Sequence, residues 1–279
     1  MSADDATPPN VAGQPSQPGA IIRVIAVGNR INLAAAATEA SYCAELERIV
    51  GLAVPHLAPD HPNLLVLTEV LGLPAALTGP PGALARRAPT ASAALTVLAL
   101  AHLPRIQRIR QHWPRISFAR ALLLARADAL YRPFAATLSR LAATHSTHIV
   151  ATTLAPHGHI SAYPDEIACW GRPGAKSAYV PDGPEVYNAA LVFGPDGRLL
   201  DRVDKVFLTH SERTLLDLTP GKLDNVRVIP TSAGRLGVAI SLDAFTPDYL
   251  RHLDAQQAEI VVQPDANDQL WAAPSQTHR

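Results

Sequence analysis

Two cysteines in 279 residues, Cys43 and Cys169, are too few for a disulfide framework, and neither belongs to a CxxC pair. Net charge is also missing. Lys plus Arg number 24 and Asp plus Glu number 24, so no global field draws the chain to nucleic acid or to an anionic membrane. No apolar run reaches the roughly 18 residues that a membrane-spanning helix needs, and the longest, Ala93 to Leu103, stops at Pro104. Met1 is followed by polar residues and not by a charged start and an apolar signal core, so a reduced, cytoplasmic protein is expected. There is no glycine fingerprint for a nucleotide phosphate and no fixed-period repeat. His157 and His159 flank Gly158 without a third ligand in a recognisable spacing, which argues against a metal site.

What the chain does have is apolar content, 48% of its residues, enough for a sizeable core. Residues 1–19, rich in Pro, Gly, Gln, Ser and Ala, are expected to be a disordered tail ahead of one domain over 20–279. Strands are expected at Ile21 to Val27, Asn63 to Thr68 and His148 to Leu154, with a helix within Ala34 to Val54. The Asn63 to Thr68 run is apolar almost without a break, as in a strand buried on both faces. Between them an Ala/Leu/Arg-rich stretch, about residues 83–144, is expected to be an inserted group of helices interrupted at Pro104, Pro114 and Pro133. Residues 155–184 are expected to form an irregular loop. Val186 to Phe193 and Leu199 to Val206 form a hairpin across Gly194-Pro195-Asp196-Gly197. Val226 to Thr231 and Arg235 to Ser241 are a second strand pair, and a helix from Pro247 to Gln256 leads to a strand at Glu259 to Gln263.

Three strand ends carry a pattern. Leu64 to Glu69 is a buried strand that ends in a glutamate. Tyr187 to Ala190, the glycine turn, Asp204 to Leu208, Glu212 and Pro220-Gly221 surround Lys205. Gly234 to Asp243, with Pro247, Leu250, Arg251 and the strand to Pro264, surrounds Ser241. In order and spacing these segments resemble the three signatures of the carbon–nitrogen hydrolase (nitrilase) superfamily, over residues 21–75 and 147–267. The resemblance implies an α/β fold, a four-layer α-β-β-α sandwich, that dimerises through a helical layer. It implies no metal or organic cofactor, and a small-molecule amide, carbamoyl or nitrile substrate. Members usually continue past the strand equivalent to Ile260–Pro264, so the C-terminal part of the domain is expected to be absent from this chain.

In that family a cysteine thiolate attacks, a glutamate moves the proton and a lysine supports the oxyanion. Carried over, Glu69 is the acid and base, Lys205 the stabiliser, Glu212 and Asn188 its supports, and position 241 the nucleophile on a sharp strand-to-helix turn. The position holds serine. A hydroxyl lacks the few per cent of thiolate that a thiol has at neutral pH, so turnover is expected to be impaired. Asp243 is either a turn or cap residue or part of the site. Two other readings stay open: an inactive homologue that binds a small amide or a protein, and a superfamily acyltransferase held at a membrane by the basic stretch Arg105 to Arg132. That stretch carries Arg105, Arg108, Arg110, Arg115, Arg120, Arg126 and Arg132 against Asp128. The plainer reading is the solvated face of a lid packed over the site.

Overall fold

The computed structural model describes residues 21–30, 32–171 and 174–266, so the tail expected at residues 1–19 lies outside the described residues. Two sheets organise the chain. The larger is built from β1 (Arg23–Val27), β2 (Asn63–Leu67), β3 (His148–Ala155), β6 (Tyr187–Phe193) and β7 (Leu199–Asp204), in that order. Its first three strands are parallel, and β6 and β7 form an antiparallel hairpin on β3. The smaller has the order β10 (Ile260–Val262), β9 (Gly234–Val238), β8 (Ile229–Thr231). In it β9 and β10 are parallel and joined by α9 (Pro247–Ala255), a βαβ unit with proline in the helix's first turn.

Side-chain alternation makes the layers. Leu64, Val66, Val150, Ala190, Val192 and Val203 of the large sheet meet Leu236, Val238, Ile240 and Val262 of the small one, which closes the two sheets face to face. The intervening residues Leu65, Leu67, Ile149, Ala151, Leu191 and Phe193 face outward, onto α1 (Glu39–Gly51) and α6 (Ala127–Thr144). On the far side Ala239 packs with Tyr249 and Leu253 of α9. The result is the expected α-β-β-α sandwich.

Four further helices, α2 (Pro80–Ala85), α3 (Ala91–Ala101), α4 (Leu103–His112) and α5 (Phe118–Ala125), build a separate apolar cluster. That cluster takes in Leu154 at the end of β3, Val186 ahead of β6, and Leu208 and Leu218 beyond β7. The helical stretch is therefore seated on the end of the sandwich where the parallel strands finish. Five of its seven arginines bond to the chain itself, the arginines 105, 110, 120, 126 and 132. Their charge is thus engaged internally more than displayed as a basic face.

Two expectations need correction. Pro133 does not interrupt its helix: α6 runs through it, with Pro133 buried, because the packing of an 18-residue helix on the sheet outweighs the roughly 3 kcal/mol that an interior proline costs. Residues 155–184 are not all irregular. They hold a small hairpin, β4 (Gly158–Ser161) with β5 (Ala178–Pro181), and α7 (Pro164–Trp170) between its strands. The proline and glycine content hid strands only four residues long.

The α9–β9 contact depends on Gly237. A Cβ there would stand 2.9 Å from Leu253 Cδ1 and 3.4 Å from the Ala258 Cβ. Gly237→Val is expected to lower the unfolding free energy by about 1–3 kcal/mol through overpacking. Gly28→Ala, where nothing lies within 4 Å, should stay within about 0.5 kcal/mol. Equal losses in urea denaturation would contradict this packing.

Candidate active site

Three of the sequence-selected residues meet because each lies at one end of a strand. Glu69 follows β2, Lys205 follows β7, and Asn188 sits opposite Lys205 across the β6–β7 ladder, where its carbonyl accepts the Lys205 N–H at 2.8 Å. Because strand neighbours alternate, Lys205 shares the inward face with Val203, while Asp204 and Arg202 point the other way. The fourth, Glu212, lies in α8 (His210–Thr214). Thr209 and Glu212 form a capping box that starts this helix, so the helix cap and the site use the same carboxylate.

The Lys205 ammonium is 1% exposed. It donates to Glu69 Oε1 at 2.7 Å and to both Glu212 oxygens, at 3.1 and 2.9 Å. Asn188, fully buried, donates its two N–H groups to Glu69 Oε1 and Glu212 Oε1, each at 2.8 Å. That fixes the amide orientation, since a flipped amide would set its oxygen against two carboxylates. Thr209 adds a backbone N–H and a hydroxyl to Glu212 Oε2, at 2.8 and 2.9 Å. Pro220-Gly221 seals the back. The Gly221 N–H donates to the Lys205 carbonyl at 2.8 Å, and a Cβ at 221 would fall 2.4 Å from the Asp204 carbonyl oxygen.

Two carboxylates share one ammonium. Burial, and then the neighbouring Glu212, holds the Glu69 carboxyl above its ordinary range despite the pull of Lys205. Burial would also raise Glu212, but Lys205, Asn188 and Thr209 together bring it below its usual value. Burial alone would lower Lys205, yet the two glutamates lift it, so the lysine stays charged. Glu69 is consequently the carboxylate that more readily accepts a proton.

Ser241 stands just beyond β9 with φ 48°, in the left-handed region that a non-glycine residue enters at a cost. Its N–H donates to the Pro264 carbonyl at 3.0 Å, and the next carbonyl, that of Asp265, accepts the Glu69 N–H at 3.2 Å. Two successive carbonyls thus pin the two backbones side by side. Val70, directly after Glu69, has φ 51°, so both segments turn sharply as they leave their strands. Among the described residues the Ser241 side chain makes no hydrogen bond to Glu69, Lys205, Asn188 or Glu212. Asp243, fully buried, accepts the N–H of Phe207 at 2.7 Å and of Val206 at 3.2 Å, which ties the serine turn to the residues after Lys205. This is a structural role of the kind a turn residue plays. The backbone at Pro264 and Asp265 was not foreseeable from residue types, because carbonyls leave no mark in a sequence. The Thr209-x-x-Glu212 pattern was a readable signal for the cap.

Residues 83–278 match the sequence model of the carbon-nitrogen hydrolase family. The chain belongs to this family. The match takes in Asn188, Lys205, Glu212, Ser241 and Asp243 together with the helical stretch, and it begins after Glu69. No curated protein matches by sequence. Among solved structures the chain is similar to a carbon-nitrogen hydrolase from Helicobacter pylori G27, with 17% identity and TM-score 0.51 over 89% of this chain and 61% of that one. It is likewise similar to a cysteine-to-serine mutant of the Nesterenkonia AN1 amidase from the nitrilase superfamily, with 16% identity and TM-score 0.51 over 91% of this chain and 70% of that one. A glutamate-to-glutamine mutant of the same amidase, showing acrylamide added at its active site cysteine, has 15% identity and TM-score 0.51 over 90% and 70%. These likenesses establish the fold, and the chain spans about three fifths of the length of the Helicobacter protein.

Removing Lys205 leaves two buried carboxylates facing each other. Lys205→Met is expected to cost about 3–5 kcal/mol at pH 7, with partial recovery near pH 5 as a carboxylate takes up a proton, read by urea unfolding at the two pH values. Asp243 generates a second expectation. Burial pushes its carboxyl up to about 6, against the backbone N–H groups that hold it down. A folded pKa above the unfolded one means that the folded state binds the proton more tightly, so this group's stabilisation is present below pH ~4 and lost as pH rises through ~6. Asp243→Asn should therefore gain on the parent, by about 2–3 kcal/mol, between pH ~4 and pH ~7. A difference between the two proteins that stays flat with pH would refute it.

Proposed function

We propose that this site is built to hydrolyse a non-peptide carbon–nitrogen bond, in an amide, carbamoyl or nitrile group, and that serine at position 241 leaves its turnover impaired. The observation that carries this reading is the buried Glu69–Lys205 pair, 2.7 Å apart, beside the strained turn that presents Ser241. In it Glu69 is the proton carrier, Lys205 stabilises the oxyanion, and Asn188 and Glu212 hold both in place. With an amide and a nucleophile of sufficient strength, the bond from residue 241 to the carbonyl carbon forms and the carbon–nitrogen bond breaks. The nucleophile's proton passes through Glu69 to the departing amine, and water then releases the acid. Proximity and a fixed cation supply the rest.

The serine is the weak member. A hydroxyl needs a base as good as the histidine of a Ser-His-Asp triad. The His157–Asp204 pair, 2.7 Å, does not serve, since Asp204 points to the opposite face of the sheet from Lys205. This favours, as a second reading, a homologue that retains the charged cluster to bind a small amide. The Nesterenkonia amidase has an active site cysteine, which is the residue type that the Glu-Lys pair would suit here.

Ser241→Cys distinguishes the readings. Ammonia release from a panel of small amides is expected to rise about 100-fold or more, and adding Glu69→Gln should remove about 10²–10⁴-fold of that rate. If the folded Ser241→Cys protein is inert to the panel and is not alkylated by acrylamide, the hydrolase assignment fails and the binding reading stands.

A further inference from the structure

Away from the Glu69–Lys205 cluster lies a cavity of about 950 Å³ between the start of α1, the start of α2, α4 and α7. Its size is that of a site for a small organic molecule. Three guanidinium groups line it, from Arg105, Arg108 and Arg126, together with His102, and among the described lining residues the single carboxylate is Glu39. Apolar side chains, among them Pro80 and Ile167, line it as well.

The cationic side chains are incompletely satisfied. The Arg105 Nε and the His102 Nε2 are buried and make no hydrogen bond, although Arg105 donates from Nη1 to the Gly171 carbonyl at 3.2 Å. A buried polar nitrogen without a partner is costly, and two of them at one cavity wall mark a place where something outside the chain can bond. Arg126 is anchored: its Nε and Nη2 bond the carbonyls of Ala76, Ala75 and Thr78, so its charge is fixed in position. The guanidinium groups also oppose one another. Burial, and then Arg126, lowers Arg105 to about 10, while burial, Arg126 and Arg105 lower His102 to about 4, which leaves the imidazole neutral. An anion between them relieves that repulsion.

We infer that this cavity binds a phosphate monoester with an apolar body, its phosphate on Arg105, Arg108 and His102 and its body against Pro80 and Ile167. Besides Glu39 on the wall, Asp128 acts on Arg105 and Arg126, so number of acceptors and not net charge selects the ligand: the three oxygens of a phosphate ester can meet donors from several of these side chains at once, where a carboxylate offers two. The fork of arginine donors suits the oxygens of a phosphate. The site is separate from the hydrolase cluster, but Arg126 grips the carbonyls of the turn that follows Glu69.

Calorimetric titration of the full chain with hexyl phosphate, hexanoate and inorganic phosphate tests the assignment. Hexyl phosphate is expected to bind one site with a Kd of about 1 mM or lower, about tenfold tighter than either comparison compound. Arg105→Gln and Arg108→Gln should each weaken it about tenfold, whereas Ser241→Ala should leave it unchanged. Arg108 is exposed, so its variant keeps the test valid should Arg105→Gln fail to fold. The inference is overturned if hexyl phosphate produces no binding heat at about 10 mM, or if hexanoate or inorganic phosphate binds as tightly. It is equally overturned if a folded Arg108→Gln binds like the parent, or if Ser241→Ala abolishes binding.

Discussion

A single ammonium, that of Lys205, is held inside the protein between two carboxylates, and much of the surrounding structure follows from the need to keep it there. Taking three charges out of water carries a desolvation cost of several kcal/mol per ion, which attraction repays only when geometry is tight and remaining lone pairs are met. Asn188 meets two of them and Thr209 two more. The glycine at 221 lets the chain close directly on the lysine's own carbonyl. The cluster is thus a set of mutual constraints: a helix cap, a cross-strand pair and two strand ends cannot shift independently without leaving a charge unmatched.

Much of the sandwich was legible because its strands are short of ambiguity. Leu64 to Leu67 can be buried on both sides only in a central strand, and the Gly194 to Gly197 turn joins two apolar runs as a hairpin. The site was legible as a set of residue types at strand ends, with Asn188 foreseen as support near the lysine. Its bridging of both carboxylates was not, because the distance between Glu69, beyond β2, and Glu212, in α8, is set by how these separate segments pack. The short β4–β5 hairpin was hidden for a different reason: four-residue strands amid proline and glycine carry too little periodicity. Pro133 misled because a local rule about proline was weighed without the tertiary packing that overrides it.

The helical stretch gives the arginines a different meaning from the one their spacing suggests. Read along the chain they form a basic stripe. In space Arg120 holds Asp217 beyond Lys205, and Arg126 holds the turn beyond Glu69, so the stretch clamps the two loops that leave the site. Among the described residues no helix is long and apolar enough to cross a membrane. Family membership, fold and the charged cluster form one consistent picture.

The peptide at Pro264 and Asp265 has a consequence for how the protein reaches this state. It joins Glu69, just beyond β2, to Ser241 and to the segment after the last strand, so these contacts close a long loop in the fold. Loop closure of that length is entropically slow, and contacts of high sequence separation form after local ones. The sheets and helices can collapse on their own hydrophobic faces first. The turn at Ser241 and the glutamate come into register only when these distant segments meet, which makes their pairing a late event in folding.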